Sequence, residues 1–232
     1  MNNFNLQIIV IIPAQNEEKS IEKVILAIPK SLNPVIIVVD NGSTDQTAAV
    51  AAQNGAIVVS ETRKGYGRAC LAGIAQAANF AQSEDIIVFL DGDYSDYPEQ
   101  MPELIQPILN DGADLVIGSR ALGRCEKGAM TLPQRFGNWL ATRLIYFFYK
   151  KRFTDLGPFR AIRYKNLLDL DMQDTSYGWT VEMQLKAVKK AMKYAEIGVN
   201  YRQRIGVSKI SGTIKGVIGA GYKIIGTILK YR

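Results

Sequence analysis

Within its first 120 residues the chain repeats one pattern, a short β-branched and aliphatic run followed by a longer segment of helical character. Runs at 6–12, 35–39, 56–60, 86–90 and 115–117 read as strands, and segments 17–28, 45–53, 67–80 and 99–109 read as helices, the second with Ser43 or Thr44 as its cap. Such a βαβ succession predicts the α/β class, a mostly parallel sheet flanked by helices. In open sheets of this kind ligands bind beyond the carboxyl ends of the strands. Three polar clusters, 13–17, 40–45 and 91–96, fall there and converge on one edge.

After Arg120 the pattern changes. Residues 123–128 are loop-like, 133–152 read as a helix ending in Lys150-Lys151-Arg152, and a strand at 159–163, a helix at 181–190 and a strand at 194–201 follow. The last twenty residues place Ile214, Val217, Ile218, Ile225, Ile228 and Leu229 at helical spacing, with Lys215, Lys223 and Lys230 on another face. The expected organisation is one domain over 1–212, with a nucleotide-binding half at 1–120 and an acceptor half at 121–212, then an amphipathic helix at 213–232.

Composition narrows the chemistry. There is no histidine, which removes the usual general base and the common zinc sites and leaves acid–base work to carboxylates. Cys70 and Cys125 have neither metal-ligand spacing nor the density of a disulfide framework, so a reducing compartment is the simpler expectation. The polar N-terminus lacks the basic region of a secretory leader, and no stretch of 18 residues is apolar and uncharged. The expected location is cytoplasmic, with peripheral contact on the cytoplasmic face of a membrane. Trp139, Ile145 and Tyr146 to Tyr149 precede the basic run, so this helix reads either as lying in a membrane interface or as core-facing with a solvated end. A net charge of +6 suits an anionic partner, but neither a basic helix with interleaved aromatics nor a recognised nucleic-acid module is present.

The strongest local signal is Asp91-Gly92-Asp93, directly after Ile86-Ile87-Val88-Phe89-Leu90. Two carboxylates at the end of a strand suit a divalent cation held against a diphosphate, and hard oxygen ligands select magnesium or manganese. Alone, they also fit a strand that ends in an acidic turn. In the second signal, Val38 to Asp45, Asp40 or Asn41 could accept from the polar edge of a nucleobase while Gly42 allows a sharp turn; a capped turn has the same appearance. The third, Ile12 to Glu17, also fits a strand end with a helix-starting acid.

Taken in order, the opening Pro13-Ala14-Gln15-Asn16-Glu17, the turn Val39-Asp40-Asn41-Gly42-Ser43-Thr44-Asp45 and the Asp91-Gly92-Asp93 pair resemble the family 2 inverting glycosyltransferases. Within that family the chain is most similar to the dolichyl- or polyprenyl-phosphate mannosyl and glucosyl synthases. That likeness runs through Asp91 to Pro98, Gly118-Ser119-Arg120, Asp155 to Arg160, Gly178 to Met183, and Tyr201 to Gly212. Two departures stand out. The family often has two acids at Asp40-Asn41, and the synthases commonly have Thr-Gly where this chain has Gly157-Pro158.

The resemblance implies a GT-A fold in which Pro13, Gln15, Glu17, Asp40, Asn41, Lys64 and Gly92 surround a nucleotide sugar. Asp91 and Asp93 would carry a Mn2+ or Mg2+ ion and the diphosphate, Asp93 also counting as catalytic. UDP-sugars are favoured over GDP-sugars. Arg120, Arg135, Arg160, Arg202, Arg204 and Lys209, with Glu182, are the expected acceptor and phosphate ligands. A polyprenyl phosphate acceptor, already ionised, needs no base. A hydroxyl acceptor, on a glycolipid or soluble glycan, would need Asp155 or, behind it, Glu182; either may be read instead as a carboxylate holding an arginine such as Arg160. Two rival readings remain at this point. The intact Asp91/Asp93 pair argues against a non-catalytic nucleotide-sugar-binding subunit, and a nucleotidyltransferase would carry a glycine-rich, lysine-bearing loop after the first strand.

Overall fold

The computed structural model describes residues 6–206 and 214–231. Seven strands, β1 (Ile8–Ala14), β2 (Val35–Asp40), β3 (Ile57–Ser60), β4 (Ile86–Phe89), β5 (Leu115–Ser119), β6 (Arg160–Arg163) and β7 (Tyr194–Gly198), form one sheet in the order β3-β2-β1-β4-β6-β5-β7. All pairings are parallel except those of β6, which runs against both β4 and β5.

Alternation along the strands divides the core. Ile9, Ile11, Ile37, Val39, Ile87 and Phe89 point to the face covered by α3 (Tyr66–Ala77), α5 (Leu132–Tyr149) and α7 (Trp179–Lys189). Ile8, Val10, Ile12, Val38, Ile86 and Val88 point to the face covered by α1 (Ile21–Ala27), α2 (Thr47–Gln53) and α4 (Met101–Asn110). Both faces are dry, which explains strands that are apolar throughout; each fully buried aliphatic side chain contributes roughly 1.5–3 kcal/mol before conformational entropy is subtracted. A short helix, α6 (Tyr164–Leu170), follows β6 directly, and α8 (Ile214–Lys230) packs on α5 and α7 with Ile228 fully buried.

Several elements depart from the sequence expectation for local reasons. α1 starts at Ile21 because 17–20 form a turn, the Glu17 carbonyl accepting from the amides of Ser20 (3.0 Å) and Ile21 (2.8 Å). At α2 the capping oxygen belongs to Asp45, whose Oδ1 accepts from the Thr47 amide at 3.0 Å. Ser43 and Thr44 turn instead to Asn16: Ser43 Oγ accepts from its amide, and the Thr44 amide donates to its Oδ1. Thr131 and Gln134 form a capping box that starts α5, and Lys150 ends it with a φ of 55°, three residues earlier than the apolar pattern suggests.

Candidate active site

The carboxyl ends of β1, β2 and β4 open into a cleft of about 240 Å³. Pro13, Gln15, Glu17, Asn41 and Lys64 lie on its wall, as do Asp91, Gly92, Asp93 and Arg204. The polar turns after β1 and β2 are stitched to each other, Thr47 Oγ1 accepting from the Glu17 amide at 2.8 Å. Gly92 has little room to change, since a Cβ there would sit 3.3 Å from the Pro13 carbonyl oxygen.

Asp91 faces Tyr66, whose hydroxyl donates to Oδ1 at 3.1 Å. Burial, reinforced by the negative charge of Asp93, pushes the Asp91 carboxyl up to about 7. Asp93 is buried; its Oδ1 accepts from the amide (2.8 Å) and hydroxyl (2.5 Å) of Ser95, and its Oδ2 pairs with Arg204 Nη2 at 3.1 Å. The same Nη2 lies 3.4 Å from Glu17 Oε1. Between them Tyr94 adopts a φ of 64°, a costly conformation for an aromatic residue that the Arg202 guanidinium holds by stacking 3.4 Å from the ring centroid. A third acid, Asp96, is fully buried and neither of its oxygens has a hydrogen-bond partner; burial and the neighbouring acids push its carboxyl well above the usual range.

The other expected residues are placed differently. Asn41 reaches the cleft, but its amide is already engaged, donating to the carbonyls of Glu61 and Arg63 and accepting from the Gly65 amide. Asp40 accepts from the Ser43 amide. Asp155, a candidate base, is fully buried, absent from the cleft wall and bound side-on by Arg120, with Nε and Nη2 each at 2.7 Å, so it serves as an arginine anchor. Arg160, expected among the acceptor ligands, is instead enclosed in the core, donating to the carbonyls of Leu156, Gly157 and Thr180; burial outweighs the attraction of nearby groups, Asp155 among them, and its pKa falls to about 10. Glu182 lies away from the cleft, accepting from the amides of Gln173 and Asp174 and from the Tyr231 hydroxyl. Arg202 donates to the carbonyls of Tyr94 and Asp96, Arg135 is exposed on α5, and Lys209 lies outside the described residues. Tyr66 and Tyr177, which line the cleft, were not anticipated; the Lys64-Gly65-Tyr66-Gly67 string at the start of α3 was the available signal for the first.

The family model for glycosyl transferase family 2 matches residues 9–170, the stretch that supplies all of the cleft wall but Tyr177 and Arg204. The chain belongs to glycosyl transferase family 2. Among its relatives in that family, an uncharacterized glycosyltransferase of Mycobacterium tuberculosis is 35% identical over 212 residues, 90% of this chain and 92% of the relative. The dolichyl-phosphate hexose transferase of Haloferax volcanii is 29% identical, covering 96% of this chain and 94% of the relative. Glucosyl-3-phosphoglycerate synthase from Mycobacterium tuberculosis, solved with Mn2+, uridine diphosphate and phosphoglyceric acid, superposes with a TM-score of 0.75 at 25% identity, over 97% of this chain and 78% of that one. The synthase has also been solved with Mg2+ and uridine diphosphate. This family 2 enzyme therefore has the GT-A fold expected from its motifs, and it is a glycosyltransferase.

Proposed function

We propose that the enzyme moves a hexose from a nucleoside diphosphate sugar, with uridine as the favoured base, to a polyprenyl phosphate at a membrane surface, and that it requires Mn2+ or Mg2+. The observation that carries the reading is the Asp91/Asp93 pair on the cleft wall. These residues fit a hard divalent cation, because the donors are all oxygen and because burial, with the Asp93 charge added to it, raises Asp91 to about 7, a cost that a bound cation would relieve. Two carboxylates would fill only part of such a cation's coordination shell, and diphosphate oxygens would supply further ligands. Bound there, the cation would neutralise the charge that grows on the departing diphosphate. Arg204 holds Asp93 from the cleft side and is placed to turn toward phosphate oxygens, while Tyr66 orients Asp91.

The acceptor reading rests on the missing base. Asp155 is held by Arg120, Glu182 is remote and Asp96 is sealed off; of the described carboxylates on the cleft wall, Glu17 pairs with Arg204 and Asp91 and Asp93 are assigned to the cation, which leaves none of them to deprotonate a hydroxyl. A phosphate monoester is already ionised and needs none. The dolichyl-phosphate relative agrees with this choice. Membrane contact is supported by α5, which exposes Leu132, Phe136, Trp139, Tyr146 and Phe147 on one side, interleaved with Arg135 and Arg143 and followed by Lys150, Lys151 and Arg152. No helix among the described residues is long and apolar enough to cross a membrane.

The deciding assay presents the purified protein with a panel of nucleotide sugars and either cation. Acceptor arms contain polyprenyl phosphate in detergent, phosphoglyceric acid, or neither. Sugar transfer confined to the lipid arm is expected. Donor binding with transfer to a hydroxyl acceptor alone would overturn the lipid assignment, and loss of donor binding in every arm would overturn the donor site.

A further inference from the structure

The loop 173–178, between α6 and α7, touches two parts of the molecule at once. Toward the cleft it supplies Tyr177 to the wall. Beside that residue the Thr175 carbonyl accepts from the Arg68 amide at 3.2 Å, in the first turn of α3. The approach leaves no slack: a Cβ on Gly65 would lie 2.3 Å from the Thr175 oxygen, and one on Gly67 would lie 2.0 Å from the Asp174 oxygen. That same turn of α3 carries Tyr66, the donor to Asp91.

Away from the cleft the loop is tied to α8 through two buried carboxylates. Lys223 Nζ pairs with Asp174 Oδ2 at 3.0 Å, while Asp174 Oδ1 accepts from the amides of Ser176 (2.7 Å) and Gly178 (3.2 Å). The Tyr231 hydroxyl donates to Glu182 Oε1 at 2.6 Å, and Glu182 in turn holds the Asp174 amide at 2.6 Å. Lys186 completes the arrangement, paired with Glu182 at 2.9 Å and lying over the Tyr231 ring. A polar cavity of about 260 Å³ separates loop and helix, so these side-chain bonds, rather than close apolar packing, make the connection there.

We infer that α8 is a clamp on the donor cleft, and that Lys223 and Tyr231 are positioning residues for nucleotide-sugar binding although neither reaches the cleft. The inference rests on the cleft being the donor site. Removing Lys223 takes the cation from Asp174 Oδ2, and removing the Tyr231 hydroxyl leaves Glu182 one donor short. The loop then loses its support from below, and the α3 turn that carries Tyr66 loses its own support in the loop. Packing alone would give another outcome, since loss of a helix contact lowers stability without singling out one substrate.

The test uses the full chain with Lys223→Gln and Tyr231→Phe, singly and combined. Lys223→Arg serves as the conservative rescue, and Tyr222→Ala, on the same helix but 82% exposed, as the control. In the combined variant the dissociation constant for UDP is expected to rise about tenfold, equivalent to about 1.4 kcal/mol, with the donor KM rising in step. The polyprenyl phosphate KM and kcat should stay within about twofold, Lys223→Arg should restore donor affinity, and Tyr222→Ala should not change it. Hydrogen exchange of the Arg68 amide, whose acceptor is Thr175, reports the linkage without any ligand and is expected to accelerate in each single variant. An unchanged Arg68 exchange rate overturns the clamp, as does a lowered Tm with unaltered UDP affinity. If the unaltered protein binds no nucleoside diphosphate while Arg68 exchange still responds, the donor reading fails and the mechanical linkage stands.

Discussion

At the scale of single residues the site is a concentration of negative charge held against its own repulsion. Asp91 has a folded pKa of about 7 against 3.8 for the free side chain, so between those values the folded chain keeps a proton that the unfolded chain releases. Its contribution to metal-free stability is therefore fully present below about pH 4 and is lost as pH rises through 7. Two results follow. In calorimetric titrations, affinity for Mn2+ should increase as pH is raised across 7, because the ion displaces that proton. Asp91→Asn should stabilise the metal-free protein at pH 7.5 by on the order of 1 kcal/mol, read as a higher Tm, while eliminating cation binding. For Asp93 the expectation is a chain that folds normally, since an amide oxygen can still accept from Ser95, yet transfers sugar about a thousandfold more slowly. An unchanged rate for Asp93→Asn would refute the metal assignment. Asp91 and Asp93 were legible in sequence because two acids follow an apolar strand. The commitment of Asp155 to Arg120 was not, because a separation of 35 positions in the chain gives no sign that they meet.

At the scale of elements α5 is the most informative. Its buried side, Ala141 and Ile145, faces the core, as the core-facing reading of this helix expects, and its other side exposes the aromatic stripe on which the proposed membrane contact rests. The sequence pattern located the helix but could not say which aromatic residues lie outward, since that depends on where the neighbouring helices sit. Phe136 and Trp139 are 61% and 53% exposed. Replacing both with glutamate should abolish co-sedimentation with vesicles containing anionic lipid and cut transfer to polyprenyl phosphate, leaving UDP affinity as it was. Retained sedimentation by the double variant would move the membrane contact elsewhere. α6 went unforeseen because it follows β6 without a turn, and the directions of β5 and β6 are set by the connection between them rather than by their own residues.

For the whole molecule, the sheet decides what can reach the cleft. The first five strands were readable from apolar runs and their spacing, and the parallel pattern followed from the intervening helices. The single reversal was not readable, although it sets Arg160 beside Phe89 at the carboxyl end of β4. Arg160 then works as a buried bracket: its guanidinium gathers the Leu156, Gly157 and Thr180 carbonyls, joining the segment before β6 to α7. Arg160→Ala should leave those carbonyls without donors and lower stability by about 3 kcal/mol, read by urea denaturation. A loss below about 0.5 kcal/mol would mean that water satisfies them equally well.

The reversed strand also bears on how enzymes of this design can diverge. Because β6 enters the sheet from the edge that holds the cleft, the 40 residues between β5 and β6 begin and end at that edge. Insertions there would lengthen loops on that side without shifting β1, β2 or β4, whose carboxyl ends form the proposed donor cleft. New acceptors can thus be recruited by editing one segment of the gene while the donor chemistry is inherited intact.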